Sequence, residues 1–320
     1  MLYTFRVVTR SFRFPVSSIP VSRFHRLQHF CTNKMGDSTG TNTPQTPLSG
    51  TSTPAKGKQQ QQKNNNKPAK KEVKILMLHG YTQSGPLFRA KVRALEKVLA
   101  KALVPLNLVP NLIYPTAPNR LSPRDIPGYV PSENSVSEEE EIDSWAWFRK
   151  DEASGNYKLL KEGMMRIAEV IEENGGGIEG VIGFSQGGCV AGILAAALEE
   201  DRSVDGEENE EWAKRLRETN KGRKLKFFVS YSGFWAVPED LGWLYEPKIR
   251  TESLHVLGGL DTVVEEGRSN GLVERCEEGK RAVVVHPGGH YVPVGKEWVM
   301  PVAGFVMKCF KEEKKEEEKL

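Results

Sequence analysis

The sequence predicts an α/β protein, with a mostly parallel central sheet and helices on both faces. Three observations predict it. Short apolar runs with little polar alternation recur between Val73 and Val285, as expected of strands buried on both faces. Stripes at helical spacing, such as Leu160, Met164, Ile167 and Ile171, fill the intervals between them. His79, Ser185, Phe234, Asp261 and His290 each follow a predicted strand, at the end of a parallel sheet where ligands bind.

Charge divides the 320 residues unevenly. Residues 1–71 hold 12 of the 45 Lys/Arg but one of the 42 Asp/Glu, so the formal +3 averages a basic leader with a body of net −8. An acidic body is not the basic surface that binds nucleic acid. Cys31, Cys189, Cys276 and Cys309 are scattered without Cys-x-x-Cys or metal-type spacing, which points to free thiols in a reducing compartment. No apolar run reaches the ~18–20 residues that a bilayer span needs.

Residues 1–35 carry Arg6, Arg10, Arg13, Arg23, Arg26 and Lys34 with interleaved apolar residues and no acid, which resembles a mitochondrial presequence. Localisation is therefore expected to be mitochondrial or, if this leader is inert, cytoplasmic; Met35 offers an alternative start. Residues 36–71, rich in Thr, Ser, Pro, Gln and Asn, read as a disordered linker. Residues 72–312 are the expected folded domain, and 313–320 a charged tail.

Within that domain Val73–Leu78 is the first strand, Leu87–Leu103 a helix and Leu106–Ile113 the second strand. Tyr114 to Gly155 is long and Pro-rich, with an acidic run at Glu138–Glu141. Its aromatics Tyr129, Trp145, Trp147 and Phe148 either wall a substrate pocket or pack on the domain edge. Tyr157–Glu173 reads as an amphipathic helix stopped by Gly175–Gly177. A strand then reaches Gly183, and an Ala-rich helix follows to Glu200. Asp201–Lys224 reads as a solvated insertion. Strands at Lys226–Ser230, Ser253–Leu257 and Ala282–Val285 follow, with a partly helical Val263–Cys276 between the last two and a closing helix over Val292–Phe310.

The chemistry centres on Gly183-Phe184-Ser185-Gln186-Gly187, a Gly-x-Ser-x-Gly in strand–turn–helix context, where a serine is exposed at the tip of a sharp turn. A serine hydroxyl needs an adjacent base, and that base an orienting carboxylate. Three of the six histidines follow Ser185: His255 lies inside a strand pattern, His286 directly precedes Pro287, and His290 sits beyond two glycines on a loop. His290 is the preferred base, with His286 the alternative. Asp261, just past a Gly-Gly bend, is the preferred acid over Asp240, although an aspartate there also suits a helix N-cap. Backbone N–H groups of Tyr81 and Gln186 are the expected oxyanion donors. His79 reads as a structural anchor, and Cys189, one helical turn past Ser185, as a buried side chain.

Lys74-Ile-Leu-Met-Leu-His-Gly-Tyr-Thr-Gln-Ser-Gly85, Gly183-Phe-Ser-Gln-Gly-Gly188, Tyr231-Ser-Gly-Phe234, the block from His255 to Val264 and His286-Pro-Gly-Gly-His-Tyr-Val-Pro293 together resemble the fungal serine hydrolase (FSH) family, which includes yeast members and the animal ovarian-cancer-associated esterase. The resemblance covers residues 72–312. It implies an α/β-hydrolase fold, a triad of Ser185, Asp261 and His290, and esterase or thioesterase activity on small acyl substrates. It also implies, for some fungal relatives, an acyl-carrier protein as partner. No metal or organic cofactor is expected. Phe234, Trp235, Trp145 and Trp147 are the expected pocket residues. Two other readings stand beside the esterase: an acyl-carrier or acyl-CoA thioesterase, and a non-catalytic binding module that kept the fold.

Overall fold

The computed structural model describes residues 69–126 and 142–317. The expected leader, nearly all of the expected linker, Tyr129 and the Glu138–Glu141 run lie outside the described residues, as do the side chains beyond Glu312.

Six strands form one sheet: β1 (Lys71–Leu78), β2 (Leu108–Ile113), β3 (Ile178–Phe184), β4 (Phe227–Tyr231), β5 (Glu252–Gly258) and β6 (Arg281–His286), in the order β6-β5-β4-β3-β1-β2. Every neighbouring pair is parallel. The central strands are mostly apolar because both of their faces are covered; every residue of β3 is buried, Glu179 included. On one face α1 (Gly85–Lys91), α2 (Arg93–Ala102) and α7 (Lys296–Glu317) pack Phe88, Leu95, Leu99, Val302 and Val306 against the sheet. On the other, α3 (Leu160–Glu173), α4 (Gln186–Ala197), α5 (Glu207–Thr219) and α6 (Glu266–Glu274) enclose Met164, Ile167, Ile193, Trp212 and Leu272. Because the helices after β1 and after β3 go to opposite faces, the C-terminal ends of these two adjacent strands form the switch point at which such sheets bind ligands.

The helix α4 is buried all round, which is why its sequence is Gly/Ala-rich rather than amphipathic. Its first turn rides directly on the sheet, and a Cβ at Gly188 would come within 2.7 Å of the Ser230 hydroxyl.

Several elements differ from the sequence reading. The expected helix over 87–103 divides at Val92, whose φ of −101° and ψ of 13° leave the helical region; the bend still keeps Phe88, Val92, Leu95 and Leu99 in one core. The stretch 114–155 is not structureless where it is described: Asn119–Arg120 pairs antiparallel with Trp145–Ala146, and Arg149–Lys150 with Tyr157–Lys158. That second pairing, followed by Leu159 at φ 62°, delays α3 to Leu160. The 201–224 insertion is not simply solvated. Trp212, Ala213 and Leu216 form an i, i+1, i+4 stripe buried against the core, with Trp212 5.6 Å from the Trp243 ring. Asn220, just after α5, accepts the Ile178 N–H at 2.7 Å and so fixes the start of β3. Finally, α7 begins at Lys296 and runs to Glu317, into the segment expected as a tail.

Candidate active site

The turn from β3 into α4 presents Ser185 with φ 54° and ψ −116°, outside the regions that an L-residue normally occupies. The strain is maintained by close packing on both sides. A Cβ on Gly183 would strike the Gly187 carbonyl, and one on Gly187 the Leu78 carbonyl, so only glycine lets strand and helix approach this closely. The Ser185 N–H donates to the Tyr231 carbonyl at 2.8 Å, tying the turn to β4.

His290 reaches this turn from the loop after β6. Its Nε2 lies 2.9 Å from Ser185 Oγ and its Nδ1 2.8 Å from Asp261 Oδ2. The Phe184 ring packs on the imidazole at 4.9 Å. Asp261 sits past the Gly258-Gly259 bend that follows β5, and its Oδ1 accepts the N–H groups of Val263 (2.9 Å) and Val264 (3.0 Å). Burial pushes this carboxyl up, but the Val264 amide, His290 and the Val263 amide outweigh it, and Asp261 titrates below the ordinary carboxylate range. The capping geometry weighed for Asp261 and its contact with histidine therefore coexist, one on each oxygen. It does not cap α6, which starts only at Glu266.

The alternatives are occupied elsewhere. His286 is buried between the rings of Tyr291 (5.1 Å) and Trp298 (5.9 Å), and its Nδ1 accepts the Gly288 N–H at 3.2 Å. His255 is buried in β5 with Nε2 3.2 Å from Ser253 Oγ. Asp240 lies exposed in a 3-10 turn, where its backbone carbonyl accepts the Asn209 side-chain amide, and among the described residues its carboxylate contacts no histidine. Burial raises the Cys189 thiol, which disfavours a thiolate. Among the described residues no group of three His, Cys, Asp or Glu side chains is placed to hold a metal ion.

His79 anchors the floor of the site. Its Nδ1 donates to the Gly80 carbonyl (2.8 Å) and its Nε2 accepts the Ala117 N–H (3.0 Å), which fixes a neutral tautomer. Burial, only partly opposed by the Gly80 carbonyl and Asp143, lowers its pKa to about 4; burial, reinforced by Arg281, takes His255 to about 3. Both histidines take up protons in the unfolded chain near their ordinary value of about 6.5 but not in the folded one. Stability must therefore fall as pH drops from that value, by roughly 2–3 kcal/mol per histidine at pH 4.5. Urea unfolding at pH 7 and 4.5 checks this: the midpoint should fall at the lower pH, and by less in His255→Asn.

Of the two expected oxyanion donors, Gln186 follows Ser185 directly, and Tyr81 lines the same cavity as Ser185. The Gln186 N–H opens α4 and has no acceptor within the helix. The Tyr81 N–H meets no acceptor among the described residues, while its hydroxyl donates to the Asp125 carbonyl at 3.0 Å. Arg149, paired with Asp125 at 2.9 Å, steadies that attachment.

None of the four aromatics expected at the pocket lines the cavity of about 530 Å³ that opens at Ser185. Trp147 is fully buried beneath the site: its Nε1 donates to the His79 carbonyl at 3.0 Å and its N–H to Gln186 Oε1 at 2.8 Å. Gln186 Nε2 in turn donates to the Phe148 carbonyl at 2.7 Å, so this side chain clamps the 147–148 segment to α4. Trp145 donates to Asp143, Phe234 lies under the Arg268 guanidinium at 4.1 Å, and Trp235 under that of Arg275 at 3.4 Å. The cavity is instead walled by Lys91, Ile126, Phe184, Val263, Val292 and Val294, together with the Tyr81–Gln83 loop. Sequence reasoning missed these walls. Adjacency would have found three of them, since Phe184, Val263 and Val292 stand one or two residues from Ser185, Asp261 and His290.

Comparison with known proteins identifies the family. A family model described as "Serine hydrolase (FSH1)" matches residues 69–302. The chain is 33% identical over 232 residues to Family of serine hydrolases 2 of Saccharomyces cerevisiae, covering 72% of this chain and 95% of that protein. It is 29% identical over 231 residues to Esterase OVCA2 of Danio rerio, covering 69% and 90%. Among solved structures it is similar to Arabidopsis thaliana SOBER1, with 16% identity, a TM-score of 0.45 and coverage of 75% of this chain and 99% of that one. With the matched region spanning well over half its length, the chain belongs to the FSH1 family of serine hydrolases.

Proposed function

We propose that this enzyme hydrolyses carboxylic esters or thioesters through an acyl-enzyme on Ser185. The observation that carries the reading is the unbroken line from Asp261 Oδ2 through His290 to Ser185 Oγ, at 2.8 and 2.9 Å. His290 holds its proton on Nδ1, toward Asp261, leaving Nε2 to accept the Ser185 proton as Oγ attacks the acyl carbon. The N–H groups of Tyr81 and Gln186 stabilise the oxyanion that forms. His290 then protonates the leaving alcohol or thiol, and afterwards activates water to release the acid and free Ser185. Asp261 stays ionised and stabilises the imidazolium.

The relative named an esterase favours an ester as substrate. The experiment is a survey of p-nitrophenyl esters of graded acyl length beside the matching acyl N-acetylcysteamine thioesters. The expected result is hydrolysis of both, with a length optimum set by the cavity. Hydrolysis confined to thioesters would move the enzyme to a thioesterase role with an acyl-carrier protein. Failure on every ester and thioester would return it to a binding module.

A further inference from the structure

We infer that Lys91 selects acyl substrates that carry an anionic group a short distance from the reacting carbonyl. This rests on Ser185 acting as the nucleophile. The walls of the cavity at Ser185 are aliphatic and aromatic around Ile126, Phe184, Val263, Val292 and Val294. Among the described lining residues, apart from His290, already held between Ser185 and Asp261, Lys91 is the one ionisable cation, and none of them is a carboxylate.

Lys91 is also free of any ion pair among the described residues, whereas two nearby arginines are paired. Arg89, two residues earlier in α1, pairs with Glu96 at 3.2 Å, and Arg149, behind Tyr81, pairs with Asp125 at 2.9 Å. Lys91 is exposed at the mouth of this apolar cleft, and no described acid pairs with it. The apolar walls focus the field of its ammonium into the cleft. A carboxylate or phosphate on the substrate would complete the pair; a neutral ester would leave the ammonium unpaired. A lysine in the last turn of a helix also complements the helix dipole. That role would alter stability alone and would not discriminate between two esters.

The anion can belong to the acyl chain or to the leaving group, and two arms separate these sources. The first compares p-nitrophenyl hexanoate with p-nitrophenyl hydrogen adipate, which differ by a terminal carboxylate. The second compares hexanoyl-CoA with hexanoyl-pantetheine, whose leaving thiol lacks the phosphates and the adenosine they carry. Wild type, Lys91→Met and Lys91→Glu are assayed as the full chain at low salt and again in 0.5 M NaCl. In at least one arm the wild type should prefer the anionic substrate by about five- to tenfold in kcat/KM, a preference that salt weakens. Lys91→Met should abolish that preference, read as the ratio of the two substrates in the same variant, and Lys91→Glu should invert it. Unchanged ratios in both arms, with the neutral substrates still turned over, overturn the role of Lys91 and leave Ser185 untouched. Loss of turnover of all four substrates in the wild type overturns both.

Discussion

Replacing Ser185 with alanine should lower ester hydrolysis by about four to six orders of magnitude and leave the fold intact. The backbone reason is specific. Ser185 stands at φ 54°, ψ −116°, and alanine bears the same Cβ, so the substitution adds no steric strain to that already held by Gly183 and Gly187. The lost hydroxyl is a hydrogen-bond partner of His290, a contact at the edge of the cavity rather than in the core. Thermal unfolding should therefore shift little, while hydrolysis falls to the level sustained by oxyanion stabilisation and binding alone. A rate that dropped only a few-fold would assign the nucleophile elsewhere.

His290→Ala should cost about as much, and the two losses should not add. Once the base is gone the hydroxyl is not activated, and once the hydroxyl is gone the base has nothing to deprotonate. Ser185→Ala/His290→Ala should thus be no slower than either single variant. His286 makes the natural control, because it ends the same strand and lies four residues away. Its imidazole holds the Gly288 N–H and packs against Tyr291 and Trp298, so His286→Ala should loosen the loop and lower kcat/KM modestly. Steady-state kinetics on one p-nitrophenyl ester rank the four variants. A larger loss for His286→Ala than for His290→Ala would move the base to His286.

The parts of this molecule that were legible in the sequence are those whose physics is local. The turn at Ser185 needs glycine at 183 and 187 and an apolar strand before it, all between Ile178 and Gly187. Likewise Asp261 and His290 follow β5 and β6 on short glycine-containing loops, so their side of the sheet follows once the strands are parallel. What stayed hidden depends on contacts distant in sequence. Trp147 and Trp145 look equally exposed in an irregular Pro-rich stretch; only the clamp from Gln186, 39 residues on, makes Trp147 a buried support. In α5 the acidic first turn of Glu207, Glu208 and Glu210 masked the Trp212–Leu216 stripe that docks on the core. Lys91 gave no signal at all, since a lysine at the end of a short helix is ordinary until the cavity beside it is known.

The activated serine itself is tested most directly by peptide mapping of the full chain after reaction with a fluorophosphonate. One adduct per chain, on the peptide that carries Ser185, is the predicted result, with a markedly slower reaction in His290→Ala. An adduct on any other serine, or equal labelling of Ser185→Ala, would contradict it.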